Sequence, residues 1–353
     1  MGLLVWEFQV VVRKVISVAV VGLGMASKPH IAALRQLEGP IRIAGLYTRN
    51  AERLAGQVEA TGWSAYHSVK AICQDPNVDA VILITPPNAR KDLTTKFTRA
   101  GKHILMEKPL ERDLPRAEQL VDLCEAAGVT LGVVLQHRFR AGSVALAQLV
   151  RSGRMGQIRA VRLALPWWRN QAYYDAPGRG TYAQDGGGVL ITQAIHALDL
   201  MLSVTGKAKE VQALSATTDL HQMEAEDFAT AGIVFASGAV GSVVATTAAF
   251  PGSQESLVID AENGSAALTG GELVVHWRDG SSETVGELTS TGGGSDPMDF
   301  PCDWHRDLIS DFADALREAR PPRITGRAAL EVHKLIAAIE QSAREGRRVQ
   351  VQV

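Results

Sequence analysis

The chain has 353 residues, 46% of them hydrophobic, and a formal net charge of −2. That length fits two domains better than one core, and the near-neutral balance, with acids and bases interspersed, offers no basic face for a phosphate backbone and argues against nucleic acid as a partner. Cys73, Cys124 and Cys302 are odd in number, far apart and in no C-x-x-C pair, so reduced thiols in a cytoplasmic compartment are expected, and neither a disulfide framework nor a zinc site.

Residues 1–14 are apolar, but Glu7 interrupts the run and the basic pair Arg13 and Lys14 follows it. They read as an N-terminal extension, an extra strand or a poorly ordered tail, and not as a signal peptide or membrane anchor. Residues 15–21 form a near-continuous β-branched run, the pattern of a parallel strand buried on both faces. Helix patterns at 30–37, 51–60, 90–100 and 114–127 then alternate with strand patterns at 42–47, 80–85, 103–106 and 130–135. This alternation predicts a doubly wound parallel sheet of the Rossmann kind over 15–137.

Beyond residue 137 the rhythm changes. A helix at 142–152, a strand at 158–165, a loop rich in Trp, Tyr and Gly and a helix at 188–202 precede strand patterns at 210–217, 228–235, 239–247, 256–260, 266–268 and 273–277. Strands in succession joined by short Gly-containing turns predict a C-terminal α/β domain over 138–353 with a largely antiparallel open sheet. A Gly-rich stretch at 291–297 reads as a surface loop, followed by helices near 304–317 and 326–344 and a short strand at 349–351. The 239–247 strand carries small and β-branched residues on both faces with almost no charge, so a homodimer or homotetramer held by that sheet is expected.

Directly after the first strand stands Gly22-Leu23-Gly24-Met25-Ala26-Ser27, the G-x-G-x-x-G pattern with Ser27 in the last place. Gly22 permits the tight turn, Gly24 lets the backbone approach a pyrophosphate, and the next helix offers its N–H groups and positive dipole end; Met25 and Ala26 share the turn as candidate cofactor contacts. A glycine turn after a strand often serves geometry alone, but its place at the head of a βαβ unit favours a dinucleotide. At the end of the second strand, where an acid would accept hydrogen bonds from the ribose of NAD, the chain has Tyr47-Thr48-Arg49-Asn50. Arg49 suits a 2′-phosphate and Thr48 and Asn50 suit hydrogen bonding, so NADP is favoured with NAD left possible; a solvated Arg49 beside a helix cap is the plain alternative.

The run Gly101-Lys102-His103-Ile104-Leu105-Met106-Glu107-Lys108-Pro109, with Thr85-Pro86-Pro87-Asn88 and the segment from Asp185-Gly186-Gly187-Gly188 to Asp199, resembles the Gfo/Idh/MocA family, named for glucose-fructose oxidoreductase and inositol dehydrogenase. The resemblance runs from about residue 15 to the C-terminus. It implies NAD(P)-dependent hydride transfer at a CH–OH or C=O carbon of a sugar, sugar derivative or cyclitol, usually without metal. It implies further that Lys108 lies beside the nicotinamide and hydrogen-bonds the reacting oxygen, that the Lys108–Pro109 bond is often cis, and that His196 is the catalytic histidine. An ammonium stabilises negative charge developing on oxygen, and an imidazole moves a proton near neutral pH. Thr85, Pro86, Pro87, Asn88, Glu107 and Lys108 join the candidate cofactor contacts. Two positions depart from the family pattern: Thr192 stands where many members have Asp and some sugar-nucleotide enzymes Asn, and Arg90 where His is frequent. A threonine cannot carry a carboxylate's charge, which leaves the proton traffic to Lys108 and His196.

On the helix expected at 188–202, Thr192, His196 and Asp199 share one face, and no third residue at a metal-ligand spacing joins His196 and Asp199. Upstream lie Trp167-Trp168-Arg169, Tyr173-Tyr174 and Arg179-Gly180-Thr181-Tyr182. Aromatic faces beside hydroxyl and guanidinium donors suit a sugar or cyclitol. Tyr174, Arg179, Tyr182, Thr192 and Gln193, with Lys108 and His196, are the candidate substrate contacts; Arg179 can also pair with a carboxylate or phosphate, and Trp167 reads equally as a packed lid or subunit contact. His137 and Arg138 are expected at the domain junction. Two other readings stand: a dehydrogenase of a hydroxylated alicyclic or aromatic compound such as a dihydrodiol, and a non-catalytic dinucleotide sensor acting on a protein partner. The presence of both Lys108 and His196 argues against the sensor, which needs neither.

Overall fold

The computed structural model describes residues 14–294 and 300–352. The expected N-terminal extension, apart from Lys14, and the latter part of the expected 291–297 loop lie outside the described residues. β1 (Ile16–Val21) is buried at all six positions, as its unbroken apolar run requires. The chain continues through α1 (Ser27–Gln36), β2 (Ile41–Tyr47), α2 (Ala51–Thr61), α3 (Val69–Gln74), β3 (Ala80–Leu83), α4 (Arg90–Arg99), β4 (His103–Glu107), α5 (Leu114–Ala126) and β5 (Leu131–Val134). The five strands form a parallel sheet in the order β2-β1-β3-β4-β5. The order reverses between β1 and β3, and the crevice outside their carboxyl ends is where ligands bind in such sheets. Helix α3 was not expected: six residues are too few to show a helical period, and its start is set by Ser68, whose side chain accepts from Ala71 N.

The remaining elements are α6 (Ala141–Arg151), β6 (Ile158–Pro166), α7 (Gln171–Tyr174), α8 (Ile195–Thr205), β7 (Ala208–Ala216), β8 (Phe228–Phe235), β9 (Val240–Thr246), β10 (Ser256–Ala261), β11 (Gly264–Thr269), β12 (Glu272–Trp277), β13 (Ser282–Val285), α9 (Asp303–Arg317), α10 (Gly326–Glu345) and β14 (Val349–Gln350). A nine-stranded sheet runs β13-β12-β11-β10-β6-β9-β8-β7-β14, antiparallel except for the parallel pair β6 and β9. Strand β13 escaped sequence reading because Ser-Glu-Thr-Val is exposed at every position and so shows no alternation. One face of this sheet buries Val161, Leu163, Ile233 and Val243. The other carries Leu214, Thr230, Val244 and Ala164 side by side in register, with Val240 54% and Val244 40% exposed.

The last two helices return to the first sheet. α9 packs on α1 and β1, and α10 on α5 as well as on α8 and β7. Thr325 bridges to Gly132, and Val133 N donates to Ile324 O at 3.1 Å. The carboxyl end of β4 therefore faces residues from both halves of the chain. None of the described helices is long and apolar enough to cross a membrane, and all three cysteines are free thiols.

Candidate active site

At the β1–α1 turn Gly22 adopts φ +103°, and a Cβ there would lie 2.7 Å from the Ile84 carbonyl oxygen, so only glycine fits. Gly24 is different: a Cβ would meet nothing within 4 Å, so the space over its backbone is left open by the protein itself. The amino end of α1 has no side-chain cap and no acid in its first turn, which leaves its N–H donors and dipole for an anion. Ser27 turns its hydroxyl back to Gly24 O at 2.7 Å. The Thr85 hydroxyl, just past β3, is buried without a partner. An open glycine backbone, an uncapped helix start and an orphaned hydroxyl fit a dinucleotide laid across the β1 and β3 ends. At the end of β2, Asn50 is taken up as the cap of α2, accepting from Arg53 N at 2.8 Å, whereas Arg49 is exposed and has no side-chain partner among the described residues.

Lys108 follows β4, and its peptide bond to Pro109 is cis. Its ammonium donates to the Thr192 carbonyl oxygen at 2.6 Å. Burial lowers the lysine pKa, only partly opposed by Glu107, to about 8. Glu107 is buried, with one oxygen 2.7 Å from His30 Nε2 and the other accepting from Lys108 N at 3.0 Å. Burial raises its pKa, but the His30 hydrogen bond and nearby positive charge outweigh this and bring it to about 2. Glu107 thus supports the lysine from beneath. Arg90, 2% exposed, donates to Thr85 O at 3.0 and 2.8 Å and to Lys108 O at 3.3 Å. It ties the loops after β3 and β4 together.

The second half of the site is opened by the glycine run. A Cβ on Gly188 would fall 1.8 Å from the Glu226 carbonyl oxygen, and the Glu226 carboxylate accepts from Gly188 N and Leu190 N at 3.1 and 3.0 Å. The regular helix expected from 188 begins only at Ile195; Leu190–Ala194 form a π turn, a local widening frequent at functional sites. That turn presents the Thr192 carbonyl to Lys108. The Thr192 hydroxyl, expected to meet substrate, instead turns back to Gly188 O at 2.5 Å and to Gln193 Oε1. His196 is 7% exposed; its Nδ1 is buried without a partner. Burial, then the charge of Lys108, holds its pKa well below the usual value, so it is a neutral imidazole. Its ring stacks on His137 at 4.8 Å, and Arg138 pairs with Asp199 through Nε at 2.6 Å. Both partners come from the turn after β5, which joins the two halves at α8.

Placement in the aromatic loop corrects one expectation. Tyr174 is 7% exposed, bonds Thr247 Oγ1 at 2.6 Å and packs on His221, so it belongs to the core. Trp167 is likewise buried. Tyr173 instead reaches Gln193, whose Nε2 lies 3.4 Å from its hydroxyl, and Arg179 stands 5.2 Å over its ring. Arg179 is close enough to Lys108 to depress the lysine's pKa. Tyr182 is exposed along much of its side chain, and partial burial of its hydroxyl, then the acids Glu226, Glu340 and Glu224, raise its pKa. The structure therefore gathers Lys108, Thr192, Gln193, His196, Tyr173 and Arg179, and leaves Tyr174 outside. Sequence reading also missed His30 and His305, whose rings meet at 4.9 Å beside Glu107; the three offer ligand atoms within 4.8 Å of one another. His30 had a faint signal in its place on the dinucleotide helix, His305 none.

Residues 16–135 match a family model described as an oxidoreductase family with an NAD-binding Rossmann fold, and residues 143–267 one described as a GFO/IDH/MocA C-terminal domain. The chain is 26% identical to the myo-inositol 2-dehydrogenase of Thermotoga maritima over 95% of this chain and 98% of that one. It is 27% identical to the 1,5-anhydro-D-fructose reductase of Ensifer adhaerens over 91% and 94%. Among solved structures, the WlbA dehydrogenase of Bordetella pertussis in complex with NADH and UDP-GlcNAcA superposes with a TM-score of 0.82 at 30% identity, covering 96% of this chain and 100% of that one.

Proposed function

The chain belongs to the Gfo/Idh/MocA family of NAD-binding Rossmann-fold oxidoreductases, and from that premise we propose that it transfers hydride between a bound nicotinamide and the CH–OH or C=O carbon of a sugar, sugar derivative or cyclitol. The observation that carries the reading is the meeting of two halves of the chain at one point. Lys108, from the carboxyl end of β4, reaches the turn that precedes His196. The names of the relatives, acting on inositol and anhydrofructose, agree with that substrate class.

Gly22, Gly24, Met25, Ala26 and the first turn of α1 would hold the pyrophosphate, and the loop of Thr85, Pro86, Pro87 and Asn88 would border the nicotinamide half. A nicotinamide held there supplies the hydride acceptor or donor. Lys108 polarises the substrate oxygen, and His196 orients the hydroxyl and relays its proton. A charged His196 beside a charged Lys108 is costly in this buried place, so the pair carries one positive charge and Lys108 holds it. Above a pH of about 8 the pair is neutral and takes up the proton of a hydroxyl; below it the pair donates to a carbonyl. Arg49 is suited to a 2′-phosphate, so NADP binds at least as well as NAD. With three free thiols, the enzyme belongs in the cytoplasm.

A screen of polyols, aldoses and cyclitols with both cofactors, followed by nicotinamide absorbance, tests the reading. Turnover with one of them is the expected result; cofactor binding without turnover of any would return the sensor reading. The uncharged outer face of β8 and β9 is the proposed subunit contact. A Val244→Lys substitution should lower the mass by light scattering to that of a monomer, and a wild-type mass already monomeric would overturn the contact.

A further inference from the structure

We infer that Arg179 recognises an anionic group on the substrate, a carboxylate or a phosphate ester, which narrows the substrates to acidic sugars or cyclitol derivatives; this rests on the hydride-transfer reading of the same site. A guanidinium presents five N–H donors in a planar fork, and in folded proteins a partly buried one is normally engaged in hydrogen bonds. The Arg179 side chain makes none among the described residues. Its ion pair is loose, 3.7 Å to Asp185 Oδ2, and that oxygen already accepts from Gly180 N at 3.0 Å. The side chain is 33% exposed, so the fork is open to a ligand without being free in bulk water.

Among the described residues, the other guanidiniums near the reacting centre are tied down by the protein. Arg138 is bonded through two nitrogens to Asp199; Arg90 and Arg140 are fully buried, the first donating to the carbonyls of Thr85 and Lys108 and keeping only an interior Nη1 without a partner, the second pairing with Glu255 and donating to Gly270 O at 2.8 Å. Lys108 is committed to the reacting oxygen. Arg179 is held over the Tyr173 ring, whose hydroxyl neighbours Gln193, the residue after the carbonyl that Lys108 contacts. Its charge reaches the lysine, since it helps to depress the pKa there. Two cations so close repel one another. Asp185 offsets part of that repulsion, but at 3.7 Å it leaves the fork unfilled, and an anion on the substrate fills it. A bidentate pairing with a planar carboxylate or a phosphate is the geometry for which arginine is suited and lysine is not.

The test measures binding to the cofactor-loaded enzyme by calorimetry, with D-gluconate and D-glucuronate as carboxylate probes, D-glucose 6-phosphate as the phosphate probe, and D-glucose and myo-inositol as neutral counterparts. The expected result is that at least one anionic probe binds about 10- to 100-fold more tightly than its neutral counterpart, the range for a charge-assisted hydrogen-bonded pair. In R179A this ratio falls towards one, and in R179K, which keeps the charge without the fork, it lies between. The probe with the largest ratio identifies carboxylate or phosphate. Melting curves check that both variants are folded. A ratio near one in the wild type, or a ratio that survives R179A, overturns the inference. Turnover of neutral polyols without anion preference leaves the hydride-transfer reading standing and removes this one. Arginine-dependent anion binding without hydride transfer to any probe does the reverse.

Discussion

The dinucleotide cradle and the substrate wall are built on opposite principles. The cradle is made of backbone: the turn at Gly22, the bare approach at Gly24 and the N–H groups of α1. A backbone site is written locally, because only particular residues tolerate the conformation, and it shows as a motif of a few consecutive letters. The substrate wall is made of side chains from five separate stretches, the turn after β4, the turn after β5, the aromatic loop, the π turn and α8. Each stretch is unremarkable alone, and the site exists only where they converge.

The largest effect that would sharpen this contrast is on the wall. Lys108→Met and His196→Ala should each slow hydride transfer by roughly 10²- to 10⁴-fold while cofactor affinity falls far less. Because both act on one oxygen, the double variant should lose less than the sum of the single losses in free energy. Single-turnover rates at saturating cofactor, with binding followed by fluorescence quenching, provide the check. A near wild-type rate in either variant would remove that residue from the chemistry.

On the cradle, two neighbouring glycines should fail differently. Gly22→Ala places a methyl 2.7 Å from the Ile84 carbonyl oxygen at a positive φ, so the fold itself should lose on the order of 1–3 kcal/mol. Gly24→Ala meets open space, so melting should hold while cofactor affinity falls about tenfold or more, ~1.4 kcal/mol. A Gly24→Ala protein that melts early, or that binds cofactor as the wild type does, would break the backbone reading.

The pH dependence comes next in size. The folded pKa of Lys108 lies below its ordinary value, at about 8, so the lysine loses its proton as pH rises through that point. The oxidation rate should climb across it and the reduction rate should fall. A kcat/KM profile flat between pH 7 and 9 in both directions, the window around that value, would take Lys108 out of the proton traffic. The smallest effect is at the exposed Arg49, where replacement by Ala should weaken NADP by about tenfold with NAD little changed. Equal weakening of both cofactors would show that Arg49 does not read the 2′-phosphate.

Much of the fold was legible because its signals are local. The unbroken apolar run of β1 announces a strand covered on both faces, and the alternation that follows announces a parallel sheet with helices between. Lys108 could be placed at a strand end because β4 is apolar up to Glu107. Tyr173 and Tyr174 show where that legibility stops. They are adjacent on α7, yet one meets Gln193 and Arg179 and the other seals against Thr247 and His221. A helical period separates their directions but not which direction is sealed into the core, since that depends on Thr247, just past the end of the distant β9.

The doubly wound sheet and the glycine turn for a dinucleotide could be read from the chain alone, because chain geometry and residue type constrain them within a few positions, and resemblance to a family's motifs singled out Lys108 and His196. Long-range packing is what makes Arg90 brace two loops from inside, brings the Thr192 carbonyl and not its hydroxyl to Lys108, and converges His30 and His305 on Glu107. Contacts between residues far apart in the chain are chosen by how helices and sheets pack, and packing leaves no local pattern to read.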